Sequence, residues 1–276
     1  MSRIFDHVVL AVDDLNAGSE FYERLGFNLT PRAQHPFGTG NRLAQLQGCF
    51  LEILGVTVPD DISEAGPGEF SFGAFNRDYL VRGQGLSMIV LQTKDAEADR
   101  EDFMKNNLTT YDLFDFSRLA RQPDGRDVTV GFTLAFASVP ELPEAMAFTC
   151  QQWRPDLFWK AEYQIHANSA ERINEVFLIA EDPVPAETFI KGLGLDPIYG
   201  RVSVMSAIEF KKRFPGIAMP NGRFAGYQIG VNDINKVRSC MEKNGVVYID
   251  SGPRLWVASD VGFGCVIEFQ AVVSAS

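Results

Sequence analysis

Four segments of the chain share one arrangement: an apolar strand, an Asp suited to cap a helix, a helical run, and a residue that ends it. They read HVVLAVDDLNAGSEFYERLGF from His7, MIVLQTKDAEADREDFMKNNL from Met88, EVFLIAEDPVPAETFIKGLGL from Glu175 and GYQIGVNDINKVRSCMEKNGV from Gly226. The pairs Asp14 and Gly26, Asp95 and Asn107, Asp182 and Gly194, and Asp233 and Gly245 are each 12 residues apart. An Asp accepts hydrogen bonds from the first free amides of a helix, and Gly or Asn takes the left-handed conformation that stops one. One helix of constant length therefore recurs four times, which marks an internal repeat. Leu15, Phe21, Tyr22 and Leu25 lie on one stripe of the first helix, and Ile234, Val237, Cys240 and Met241 on one stripe of the last.

Strand-like segments follow the helices. The clearest are NRLAQLQ with GCFLEIL after the first helix and RLWVASD with GCVIEFQ after the last. Gly48-Cys49-Phe50-Leu51-Glu52 and Gly264-Cys265-Val266-Ile267-Glu268 match position by position in type. Units one and four are complete, unit two carries an insertion through RLARQPDGRD and PELPEAM, and unit three is abbreviated. The aromatic stretch from Trp153 to Arg172 reads as a connection packed against the body, with His166 stabilising it. The expected fold is α+β: four βαβββ units in two domains, residues 1–155 and 156–276, with curved mixed sheets enclosing a cavity.

Composition narrows the function. Asp and Glu outnumber Lys and Arg, 36 against 25, so the formal charge of -11 disfavours contacts to a nucleic-acid backbone. No apolar run approaches the roughly 20 residues that span a bilayer, and the N-terminus runs into a strand rather than a signal peptide, so a cytoplasmic location is expected. Cys49, Cys150, Cys240 and Cys265 form no CxxC pair, which argues against a zinc knuckle or a disulfide framework. Nucleotide-loop, HExxH and GxSxG motifs are absent.

The repeat, together with the stretch His35-Pro36-Phe37-Gly38-Thr39-Gly40-Asn41-Arg42, resembles the vicinal oxygen chelate superfamily and within it the glyoxalase-like domain proteins. That resemblance implies metal ligands on the first and last strands of paired units. His7 and Glu52 match those positions, and alternation places both on apolar, inward surfaces. The corresponding residues of the other units are Met88, Glu175 and Gly226 on first strands and Cys150 and Glu268 on last strands. Pairing of units one and two gathers His7 and Glu52 with Met88 and Cys150; pairing of three and four sets Glu175 against Glu268. Pairing of one and four assembles a metal set of His7, Glu52 and Glu268, for a divalent ion such as Zn, Fe, Mn or Ni. The sequence leaves these pairings open.

The resemblance also implies a cavity-mouth role for His35, Asn41 and Arg42 in binding a small molecule, Arg42 as countercharge. A plain turn at Gly38 and Gly40 is the alternative. Two functions follow as expectations: a metal-assisted lyase, isomerase or dioxygenase with Glu52 or Glu268 shuttling a proton, or a metal-free small-molecule binding protein. The expected partners are a small-molecule ligand and, as one assembly, a second copy in a homodimer.

Overall fold

The structure is a computed structural model, described here for residues 2–198, 200–220 and 222–272. Unit one comprises β1 (Phe5–Ala11), α1 (Leu15–Arg24), β2 (Ala33–Gln34), β3 (Thr39–Gln45) and β4 (Phe50–Val56), and α2 (Phe72–Arg82) follows. Unit two comprises β5 (Gly85–Thr93), α3 (Ala96–Lys105), β6 (Thr109–Thr110), β7 (Phe114–Arg121), β8 (Asp127–Ser138) and β9 (Met146–Gln152), and a short α4 (Pro155–Phe158) follows. Unit three comprises β10 (Ala170–Ile179), α5 (Pro183–Leu193), β11 (Arg201–Met205) and α6 (Ala207–Arg213). Unit four comprises β12 (Phe224–Val231), α7 (Ile234–Lys243), β13 (Ile249–Asp250), β14 (Arg254–Val257) and β15 (Val266–Ala271).

The repeat is present in every local device that announced it. Asp14, Asp95, Asp182 and Asp233 each cap their helix, accepting backbone N–H groups with their side chains. Gly26, Asn107, Gly194 and Gly245 all have positive φ, between 59° and 93°. For Asn107 that conformation is tolerable because its short polar side chain suits the left-handed region. The strand pairing repeats as well: the first strand lies parallel to the last in β1/β4, β5/β9, β10/β11 and β12/β15. Units one and four agree throughout, since β3 and β14 are antiparallel to the last strands and β2 and β13 extend them. Among the described residues unit three keeps its last strand, β11, and has no middle pair. In unit two the middle pair is present and lengthened: β7 and β8 form a long hairpin, with β8 against β9 as β3 lies against β4.

The structure resolves which units associate. β1 pairs antiparallel with β5, and β10 with β12, so units one and two form one half-sheet and units three and four another. The halves join through the Phe224–Leu86 register of β12 and β5. Pairing of unit one with unit four is thereby overturned. The long first strands carry the joins within each half, and the short β13 and β2 end up at the outer margins.

Strand alternation sorts the apolar residues into layers. Val8, Leu10, Leu51 and Ile53 face the helices, where Tyr22, Phe103, Phe189 and Met241 complete one extensive core. Val9, Leu54, Met88 and Phe148 face the opposite way, into an aromatic cluster inside the first half. Phe177, Phe214 and Trp256 form the matching cluster in the second half. The connection packs as the aromatic composition implied: His166 accepts from Asn28 N (3.0 Å) and donates to Gln45 O (2.7 Å). The hydroxyls of Tyr22 and Tyr227 also meet between α1 and β12. None of the described helices is long and apolar enough to cross a membrane.

Because Asp14 accepts from Asn16 N and Ala17 N at 2.8 and 3.2 Å, Asp14→Ala should cost about 1 kcal/mol of stability. A urea titration should show a lowered midpoint with an unchanged slope.

Candidate functional site

β1 lies between β4 and β5 and is buried along its whole length, so a polar side chain on it has to be satisfied inside the protein. His7 shares the inward face with Val9, and on β4 Glu52 shares it with Phe50 and Leu54. On β3 the same face carries Asn41 and Leu43. These side chains converge on a cavity of about 40 Å³. Seven phenylalanines line it, among them Phe37 from the loop before β3, Phe72 from α2, Phe116 and Phe132 from the β7/β8 hairpin, and Phe158 from α4. His7 stacks on Phe50 with ring centroids 4.1 Å apart, and His35 on Phe37 at 5.0 Å.

The polar groups form one chain. His7 Nδ1 is 2.6 Å from Asp6 Oδ1, and its Nε2 is 3.4 Å from Glu52 Oε2. Asn41 Nδ2 donates to Glu52 Oε1 at 2.5 Å and lies 3.2 Å from His35 Nε2, while His35 Nδ1 is 2.8 Å from Thr39 Oγ1. Gln152 Nε2 donates to Asp6 Oδ2 at 3.1 Å. Arg118, 8% exposed on β7, adds a guanidinium to the cavity wall. Two buried polar atoms there have no partner: Asn41 Oδ1 and Arg118 Nε.

Burial and these contacts set the charges. Burial alone pushes the Glu52 carboxyl up, but hydrogen bonds from His7 and Asn41 and the nearby imidazoles outweigh it and bring the pKa down to about 2. Burial likewise opposes protonation of His7, yet the hydrogen bonds and negative charge of Asp6 and Glu52 raise its pKa. His35 lacks such support and is lowered by burial to about 4. Burial lowers Arg118, against the attraction of Glu52, and pushes the Cys150 thiol well up.

Of the residues singled out by sequence, the structure brings together His7, His35, Asn41 and Glu52. Arg42 points to the opposite face of β3, where Nη1 pairs with Glu23 of α1 at 2.9 Å and Nε donates to Thr30 O. Its neighbour Asn41 faces the cavity, so alternation excludes Arg42 from it. Glu268 is in the other half, bound by Arg213 and Arg254, so the set His7, Glu52 and Glu268 is not assembled. Register also corrects Cys150: Val9 pairs with Glu52 as Val90 pairs with Phe148, so Phe148 is the counterpart of Glu52, and Cys150 lies two places on. Cys150 lines both this cavity and an adjoining open cleft of about 850 Å³. Arg118 was missed because it sits where the hairpin of unit two outgrows that of unit one; its signal was the alternation Phe114, Phe116, Arg118 along β7, with Phe116 opposite Phe132 and Arg118 opposite Val130.

These residues do not fit a four-ligand divalent cation. Two of the four converging strand positions are Met88 and Phe148, which offer no hard donor. The Asn41 amide stands between His35 and Glu52, where a shared cation would have to stand, and Arg118 already supplies positive charge. Among the described residues no group of three or more His, Cys, Asp or Glu could hold a metal ion.

The glyoxalase-like domain family model matches residues 5–194. No curated protein sequence matches the chain. Among solved structures, a hypothetical protein from Staphylococcus aureus is similar with a TM-score of 0.65 and 12% identity, covering 98% of this chain and 100% of the other. A mutant of 4-hydroxymandelate synthase from Streptomyces coelicolor is similar at TM-score 0.58 and 8% identity, covering 98% and 92%. Homoprotocatechuate 2,3-dioxygenase from Arthrobacter globiformis follows at TM-score 0.55 and 12% identity, covering 98% and 80%. At such identities the likeness establishes the fold, and the chemistry rests on this chain's own residues.

The charges make stability depend on pH with opposite signs in different windows. Because the folded pKa of His35 is depressed from 6.5 to about 4, the unfolded chain binds a proton that the folded one refuses. Stability then falls by about 3 kcal/mol as pH drops from 6.5 to 4. Glu52, depressed from 4.5 to about 2, adds loss only below pH 4.5. His7, raised, contributes stability that is present below 6.5 and lost as pH rises through its folded value. Urea titrations should show a slope between pH 4 and 6.5 that is flattened in His35→Gln; an unchanged slope would place the titration elsewhere.

Proposed function

Since this chain belongs to the glyoxalase-like domain family, we propose that its first-half cavity is a metal-free binding site for one small, oxygen-bearing molecule. The proposed ligand has an apolar, ring-sized body and adjacent hydroxyl or carbonyl oxygens. The observation that carries this reading is the unmet pair Asn41 Oδ1 and Arg118 Nε, one acceptor and one donor, buried in an otherwise aromatic cavity. A native interior leaves few such groups unpaired, because each costs about 1–3 kcal/mol. A ligand offering a hydroxyl and an adjacent oxygen satisfies both, while the phenylalanine rings hold its body.

In this reading Arg118 is the countercharge, the place first assigned to Arg42, and His35 and Asn41 orient the ligand. Glu52 is an ionised acceptor for a ligand hydroxyl. With its carboxyl at about 2 it is a weak base, so proton transfer falls to His7. His7, whose pKa is raised, directs Nε2 toward Glu52 at 3.4 Å while Asp6 holds its Nδ1, so a ligand oxygen beside Glu52 would meet that nitrogen. Such a step would extend binding to lyase or isomerase chemistry. Residues 1–155 then form the ligand-binding domain and 156–276 a second domain, a division that rests on strand pairing. A cytoplasmic setting fits this reading.

Catechol, a ring with two adjacent hydroxyls, is a suitable probe by calorimetry. Arg118→Met should weaken its binding by about 1.5–3 kcal/mol, the range for a charged hydrogen bond. Binding unchanged in the variant would remove Arg118 from the site. The wild type is expected to take up no stoichiometric Zn, Mn, Ni or Fe; uptake that disappears in His7→Ala would restore the metal-assisted alternative.

A further inference from the structure

The second half repeats the inward positions of the first with different chemistry. Glu175 stands on β10 where His7 stands on β1, each seven residues before its capping Asp. Glu268 pairs with Gln228 as Glu52 pairs with Val9, so it holds the position of Glu52. Both carboxylates are buried, at 1% and 0% exposure, and two such charges cannot remain without a cation between them. The cation is Arg213, the last residue of α6. Its Nη1 and Nη2 donate to the two oxygens of Glu175 at 2.9 Å each, and Nη2 also reaches Glu268 Oε2 at 2.7 Å. Its Cζ is 4.3 Å from the ring centre of Phe177 and 5.4 Å from that of Phe214.

We infer that the buried carboxylate pair of the second half is a guanidinium-binding site whose resident ligand is the chain's own Arg213. A planar fork is required, because Glu175 is engaged through two parallel hydrogen bonds while the aromatic rings lie against the guanidinium. A spherical ammonium could supply the charge and neither the bidentate contact nor the stacking. The rest of the cluster is arranged around the carboxylates: Arg254 Nη1 and Gln228 Nε2 donate to Glu268, and Arg201 and Ser203 to Glu175. The cluster is not closed on itself, since the indole Nε1 of Trp256, 4% exposed, and Arg213 Nε both lack partners. Arg213 comes from a seven-residue helix with a side chain 21% exposed, so it reaches the site from outside the sheet and not as part of its ladder. The inference is independent of what the first cavity binds.

Arg213→Ala tests it by chemical rescue. The full-length variant should melt at least about 5 °C below the wild type, because a buried pair loses its shared cation. Guanidinium chloride at about 20 mM, far below denaturing concentrations, should restore a large part of that loss and leave the wild type unmoved. Ammonium chloride at the same concentration should not. The rescue should vanish in Arg213→Ala with Glu175→Gln and Glu268→Gln. If Arg213→Ala does not fold, Arg213→Ala with Glu268→Gln keeps the bidentate carboxylate and carries the same comparison. Equal rescue by ammonium, no rescue by guanidinium, or a variant that melts with the wild type would each overturn the inference.

Discussion

A carboxylate on the last strand of a unit, buried at Glu52 in one half and at Glu268 in the other, is the constraint from which both interiors follow. A buried charge needs hydrogen bonds and a countercharge, and with the backbone ladder already paired these have to come from side chains. In the first half the response is a mixed set, with the imidazole of His7, the amide of Asn41 and the Arg118 guanidinium, and a hollow remains. In the second half the response is Arg213 with Arg254 and Gln228, and the hollow is filled. One backbone plan thus yields an aromatic cavity in one half and an ion-pair cluster in the same place in the other.

Much of this was legible in the chain because the repeat is written in local chemistry. Capping by Asp and a left-handed Gly or Asn are decided within a few residues, so four helices could be placed by spacing. Alternation along β1 and β4 is equally local, and it set His7 and Glu52 on one face. What depends on distant pairing was not legible. Which first strands associate is decided by ladders between residues far apart, and the one-with-four arrangement stayed open until β1 was seen beside β5. The offset between Cys150 and Phe148 is a register choice of the same kind, invisible without the β5/β9 ladder.

Arg118 and Arg213 show a different limit. Arg118 lies on the lengthened part of the middle pair of unit two and Arg213 in the helix after the abbreviated unit three, so neither stands at a position that all four units share. Arg213 supplies the charge that its carboxylates need, and Arg118 adds a guanidinium to the wall around Glu52. Arg42, by contrast, sits in a stretch that drew notice, and one residue of alternation carries it to the wrong face, where Glu23 takes it. Identities of 8–12% to solved enzymes carry the fold and not these details.

The aromatic wall of the first cavity has a consequence for time rather than for affinity. A space of about 40 Å³ admits little more than a water molecule, so the ring-bodied ligand proposed for it would enter only as lining phenylalanines moved. Opening would then limit association, and the observed rate would level off as ligand concentration rises instead of climbing with it. The same wall would slow departure. A molecule once inside would have a long residence time even if its equilibrium affinity were modest, and a titration read before the rings have moved would register a site as vacant when it is merely slow.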